Sequence, residues 1–334
     1  MFPKFPIRFR RQLIIAGIVL LIVAGWVASF YLTKPQPMVY GVSFSAEYAG
    51  YLQFDPKKVY KAILDDWKFR HIRIAAPWDH VEPTRGVFDF KETDWQMDEA
   101  AKHKAKIILT IGQKTPRWPE CRLPDWATKL SHADYRRALE EYMTKVVERY
   151  KNHPALEVWQ VENEPFLAFG AACPAIDPSL LAAEVMLVKK LDPKHPTMVT
   201  DSGELSTWSK TARAADLFGT TLYRVVWDKN VGYWNYDFMP PFIYRLKLWF
   251  NKRAATEAYV MELQAEPWIA DKKLADVPLA EQYRSLSLSR LKKNIVFASE
   301  LGFSRSYLWG AEWWYWLRER GFKEIPDFIA TLNK

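Results

Sequence analysis

A repeating alternation constrains this chain most. Short apolar, β-rich runs at residues 39–44, 71–75, 106–111, 156–161, 197–200, 217–223, 258–262 and 304–309 are separated by stretches with apolar residues three and four apart, among them 56–67, 93–104, 133–150, 180–191 and 280–301. Eight short strands interleaved with amphipathic helices predict an α/β fold in which a parallel sheet closes into a (β/α)8 TIM barrel with its helices outside. The competing architecture is a doubly wound open sheet, which carries a glycine-rich phosphate turn after its first strand. Here that turn reads Gly41-Val42-Ser43-Phe44-Ser45 and does not match. No second domain boundary interrupts the alternation.

The segment ahead of the first strand has a different character. Residues 13–32 are twenty positions without a charge, the length a helix needs to cross about 30 Å of hydrocarbon. A cleavable signal peptide has a shorter apolar core of about 7–15 residues followed by a small-x-small site. The nearest such site, around Val27-Ala28-Ser29, lies inside the apolar run, so an uncleaved transmembrane anchor is the preferred reading and a cleaved signal the alternative. Lys4, Arg8, Arg10 and Arg11 precede the run and only Lys34 follows closely, which places residues 1–12 in the cytoplasm and the large domain outside. Residues 33–38, with Pro35 and Pro37, form a linker, and residues 39–334 form the barrel.

The formal charge of +8 does not indicate nucleic acid, because five of those charges precede the first acidic residue, Glu47, and the rest of the chain is nearly balanced. Aromatic content stands out instead. Sixteen Trp, sixteen Tyr and nineteen Phe exceed what core packing needs, so a ligand that stacks on rings is expected. Six scattered histidines and two cysteines form no metal-ligand pattern, and neither a cofactor fingerprint nor the serine-hydrolase elbow G-x-S-x-G is present. In an oxidising compartment Cys121 and Cys173, each in a Pro-containing loop after a strand, either bridge neighbouring loops or remain two thiols.

In a barrel the chemistry sits where strands end at their C-terminal edge. The fourth strand ends Val161-Glu162-Asn163-Glu164-Pro165 and the seventh ends Met261-Glu262-Leu263-Gln264-Ala265-Glu266. Glu164 and Glu262 are 98 residues apart, which is three βα units at about 33 residues each, so they face each other across the mouth. Two carboxyl groups in different protonation states are what cleavage of a glycosidic bond requires. Glu162 and Glu266 are the competing carboxylates: Glu162 falls on the same side of the strand as Glu164, and Glu266, in the following loop, binds substrate or nothing.

These endings resemble the glycoside hydrolases of clan A, which include cellulases, β-xylosidases and β-galactosidases. The segment Trp78-Asp79-His80-Val81-Glu82-Pro83 resembles their loop after strand two, and Thr115-Pro116-Arg117-Trp118 resembles their loop after strand three. The resemblance implies a retaining glycosidase with Glu164 as acid/base and Glu262 as nucleophile. It also implies Arg73 and Tyr223 as hydrogen-bond partners of the nucleophile and Asn163 as partner of a sugar 2-hydroxyl. Trp309, with Trp78 and Trp118, is expected to offer faces to sugar rings. For Arg73 the alternative is a plain internal ion pair. The aromatic segment 227–242 is a cleft wall, a membrane-interface contact or a satellite hydrophobic cluster. The expected partner is an oligo- or polysaccharide, probed against two other readings: a catalytically inactive glycan-binding barrel, and an envelope transglycosylase using the same two glutamates.

Overall fold

The computed structural model describes residues 7–32, 34–171, 173–269 and 273–333. Eight strands close a parallel barrel: β1 (Val39–Ser43), β2 (His71–Ala75), β3 (Lys106–Ile111), β4 (Leu156–Val161), β5 (Thr197–Asp201), β6 (Leu217–Leu222), β9 (Ala258–Gln264) and β10 (Arg305–Trp309). Between β6 and β9 the chain inserts an antiparallel hairpin, β7 (Val225–Asp228) and β8 (Gly232–Asn235). Closure is made by β1 pairing with both β10 and β2.

Two packing layers hold the barrel. Outside, helices lay their apolar faces on the strands to form the main core. Inside, Ile108, Val158, Met198, Tyr259, Met261 and Tyr307 make a separate buried cluster. Space inside is tight enough to require glycine at two strand positions. A Cβ on Gly41 would lie 2.6 Å from the Tyr307 ring, and one on Gly219 would lie 2.5 Å from Met261 Cγ. Above this cluster the interior turns polar with Arg73, Gln160 and Thr200, and there the site begins.

Capping explains where the helices start. Asp55, Ser131, Asp177 and Ser287 each accept a backbone N–H of the following turn. Ser287 corrects one expectation: residues 280–301 are not one helix but Leu279–Ser285 and Leu288–Glu300, because Leu286 is extended and Ser287 caps a new start.

The N-terminal helix spans Ile7–Leu32, and its described apolar side chains from Leu13 to Val23, Leu20 and Leu21 among them, are exposed. Among the described residues no helix is long and apolar enough to cross a membrane. In this helix the described side chains run unbroken only from Arg11 to Gly25, so part of the expected span 13–32 is described by its backbone alone, and positions 1–6 of the expected basic segment lie outside the described residues.

Candidate active site

β2, β4, β6 and β9 deliver the four side chains around which the site is built. Arg73 on β2 is fully buried and donates from Nη1 to Glu262 Oε1 at 2.7 Å, from Nη2 to Asn163 Oδ1 at 2.6 Å and from Nε to Gln160 Oε1 at 2.8 Å. Just past β6, the Tyr223 hydroxyl donates to Glu262 Oε2 at 2.7 Å. Both oxygens of Glu262 therefore accept a hydrogen bond, one from a cation. Burial, then the charge of Glu262, holds the Tyr223 phenol well above its ordinary range, so it remains a donor.

Glu164 has different surroundings. The chain leaves β4 with Glu162 at φ 60° and Glu164 at φ 43°, so strand alternation ends at Val161. Glu162 does not share a side with Glu164: its carboxylate accepts the Gln113 and Lys114 N–H groups, each at 2.7 Å, beside β3. Glu164 accepts from Thr221 Oγ1 at 3.2 Å, and its own N–H donates to Thr200 Oγ1 at 3.1 Å. Its pKa is raised well above the ordinary carboxylate value, first by burial and then by the charges of Glu262, Glu120 and Asp201. Glu164 and Glu262 line one open cleft of about 1100 Å³.

The aromatic residues divide. Trp118 is 67% exposed and lines the cleft, where its ring edge meets Phe169, which in turn meets Trp268. Trp309 also lines the cleft, with the Arg117 guanidinium 4.1 Å from its ring centroid. Trp78 does not reach the cleft, which corrects the sequence expectation. It is fully buried, stacks on Tyr142 and donates from Nε1 to Glu82 at 2.9 Å, so the loop after β2 turns it under the rim as packing. The segment 227–242 is a cleft wall in its first part: Trp227, Val231, Trp234 and Tyr236 of the hairpin line the opening.

Three residues not singled out from the sequence complete the rim. Arg117 pairs with Glu266 and with Glu312 and lies 3.9 Å from the Tyr48 ring centroid, so Glu266 is engaged by a cation rather than left idle. Glu120, 7% exposed, lines the cleft, has Lys114 Nζ 3.4 Å away and is raised to about 7, mainly by burial. Glu312 is likewise raised to about 7 by burial, against the opposing charge of Arg117. Of the three only Arg117 falls inside a sequence motif, and its pairing with Glu266 and Glu312 joins distant segments of the chain. A disulfide, Cys121–Cys173 with Cα atoms 5.4 Å apart, ties the loop after β3 to the loop after β4. Among the described residues no cluster of His, Cys, Asp and Glu could hold a metal ion.

Comparison with known proteins points the same way. A β-galactosidase family model, Glyco_hydro_42, matches residues 62–176. Beta-galactosidase BgaB of Geobacillus sp. (strain Y412MC61) is 32% identical over 104 residues, which is 26% of this chain and 16% of the relative. Beta-galactosidase Bga of Halorubrum lacusprofundi is 28% identical over 121 residues, 31% of this chain and 17% of the relative. The matched stretch is thus about one sixth of the length of these relatives. Among solved structures, xylanase 10B from Thermotoga petrophila RKU-1 shares the fold at TM-score 0.54 and 15% identity, covering 82% of each chain. GH5_18 from Bifidobacterium longum does so at TM-score 0.57 and 13% identity, covering 82% of this chain and 69% of its own. The resemblance to clan A glycosidases read from the strand endings is borne out by these matches.

Proposed function

We propose that this chain is a retaining glycosidase acting on β-linked glycans and held at a membrane surface by its N-terminal helix. One observation carries the catalytic part: two glutamates line one cleft, one with both oxygens hydrogen-bonded by Arg73 and Tyr223, the other buried among like charges.

In the first step Glu164, protonated, gives its proton to the departing glycosidic oxygen while Glu262 attacks the anomeric carbon and forms a glycosyl ester. That ester removes the charge of Glu262, which is the first electrostatic cause of the raised Glu164 pKa, so Glu164 becomes the stronger acid just when it must serve as base. It then takes a proton from water as the water attacks the anomeric carbon and frees Glu262. Asn163 is 1% exposed, and its Oδ1 is held by Arg73 and Thr200 while its amide nitrogen makes no hydrogen bond among the described residues. That leaves the nitrogen to donate to the sugar 2-hydroxyl. Trp118 and Trp309 supply stacking faces at the cleft.

The anchoring rests on residues 13–32: twenty uncharged positions continued as one helix, whose described apolar side chains from Leu13 to Val23 are exposed. By the positive-inside rule the barrel then lies outside the cytoplasm.

The catalytic reading is tested with a panel of aryl β-glycosides, the configuration of the first-formed sugar being followed by proton NMR. Retention is expected. Inversion would remove Glu262 as nucleophile, and absence of turnover on both the panel and polysaccharides would leave the inactive glycan-binding reading in its place.

A further inference from the structure

The helix Pro241–Phe250, which follows the hairpin, buries Tyr244 and Leu248 and turns a different stripe outward. Phe242, Leu246, Trp249 and Phe250 stand at i, i+4, i+7 and i+8, which puts them on one helical face. Trp249 and Phe250 are 70% and 68% exposed and their rings touch at 4.9 Å between centroids. Two large aromatics side by side in water at a helix end are costly on a soluble surface, and interfacial helices are where such pairs are favoured.

What covers them follows from their neighbours. This helix packs against the N-terminal helix Ile7–Leu32 and against Leu288–Glu300. The linker is tied down at the same place: Gln36 N–H donates to Ser299 O at 3.1 Å, and Val39 N–H donates to Ser304 O at 3.4 Å. Arg253, three residues past the helix, donates to the carbonyls of Ala212, Ala215 and Asp216, which directly precede β6. The aromatic pair, the linker and the strand starts therefore share the N-terminal edge of the barrel, while Glu164 and Glu262 lie at the opposite edge. Exposed Lys252 follows the pair in sequence, and exposed Arg213 stands next to Ala212, whose carbonyl accepts from Arg253.

We infer that Trp249 and Phe250 form a second membrane contact, seated in the headgroup region of an anionic bilayer beside the anchor. This rests on the anchoring reading and adds an orientation to it. The barrel sits with the N-terminal edge toward lipid, and the catalytic mouth with its hairpin wall opens away from the surface, toward glycan in the surrounding space. The anchor helix and the linker already touch this edge of the barrel; a second contact fixes that edge against the lipid.

The test uses the full chain in nanodiscs of phosphatidylcholine and phosphatidylglycerol. Nitroxide labels are placed through Phe250→Cys, Trp249→Cys and, at the hairpin turn, Val231→Cys, and depth is read from collision with oxygen against a water-soluble nickel chelate. The label at 250 or 249 is expected within about 5–10 Å of the headgroup and acyl boundary, and the label at 231 fully aqueous. If the chain stays in the discs while both 249 and 250 read aqueous, the second contact is refuted and the anchor stands. If the chain does not enter the discs, anchor and second contact fall together. Immersion of 231 reverses the orientation and overturns the inference.

Discussion

The two halves of the catalytic mouth are built on opposite principles. Around Glu262 the barrel supplies donors: a buried guanidinium from β2 and a phenol from the end of β6, one on each oxygen. Around Glu164 it supplies burial and other carboxylates, with one hydroxyl as donor to the side chain. The same residue type thus sits among donors on one side and among buried carboxylates on the other, and the proposed division of labour between nucleophile and acid rests on what surrounds each glutamate.

The largest expected effect breaks this comparison outright. If Glu262 is the nucleophile as proposed, Glu262→Ala should lower kcat on an activated aryl glycoside by a factor on the order of 10⁴ or more, with the far-UV spectrum unchanged. Glu164→Ala removes proton donation, a contribution of roughly 10²–10⁴-fold. Its loss should be largest on substrates with poor leaving groups and small in the first step on activated ones, so a plot of rate against leaving-group acidity should steepen. Equal loss on both classes would show that Glu164 is not the acid.

Smaller effects sharpen the contrast. Tyr223→Phe removes one of two donors on the nucleophile and should reduce kcat/KM by roughly 10- to 100-fold, the equivalent of about 1.4–3 kcal/mol, while the Glu164 side is untouched. Acidity supplies a test of the buried carboxyls. Glu120 and Glu312 titrate at about 7 in the folded protein and at ordinary carboxylate values when unfolded. The folded state then binds more protons than the unfolded state between about 4.5 and 7. Their contribution is present below that window and is lost as the pH rises through it. Tm measured from pH 5 to pH 8 should therefore fall, and Glu120→Gln should flatten part of the slope; a rise across the window would contradict the assignment.

Much of this fold is legible in the sequence. Strands such as His71–Ala75 and Lys106–Ile111 announce themselves because a barrel strand is buried on both faces and reads as a short apolar run. Glu164 and Glu262 are legible because strand ends fix where chemistry can sit. What the sequence hid is tertiary. Trp78 resembles a sugar-facing residue by motif, yet the short helix Trp78–Val81 rotates it into a nest of Trp126, Tyr135 and Tyr142. In the sequence the hairpin reads only as an aromatic loop, although its turn carries a local signal: Asp228 accepts the N–H groups of Asn230 and Val231. Arg117 and Glu120 are charged residues in a loop that no periodicity governs, and the role of Arg117 depends on partners as far along the chain as Glu266 and Glu312.

Arg117 has a consequence for how a sugar would be received. Its guanidinium is layered between the Tyr48 and Trp309 rings and gripped by two carboxylates, so one face of the indole is already occupied and the ring is held against rotation. A pyranose arriving at the remaining side meets a surface set before it lands. The ordering cost of that wall belongs to folding and is not charged again to each turnover.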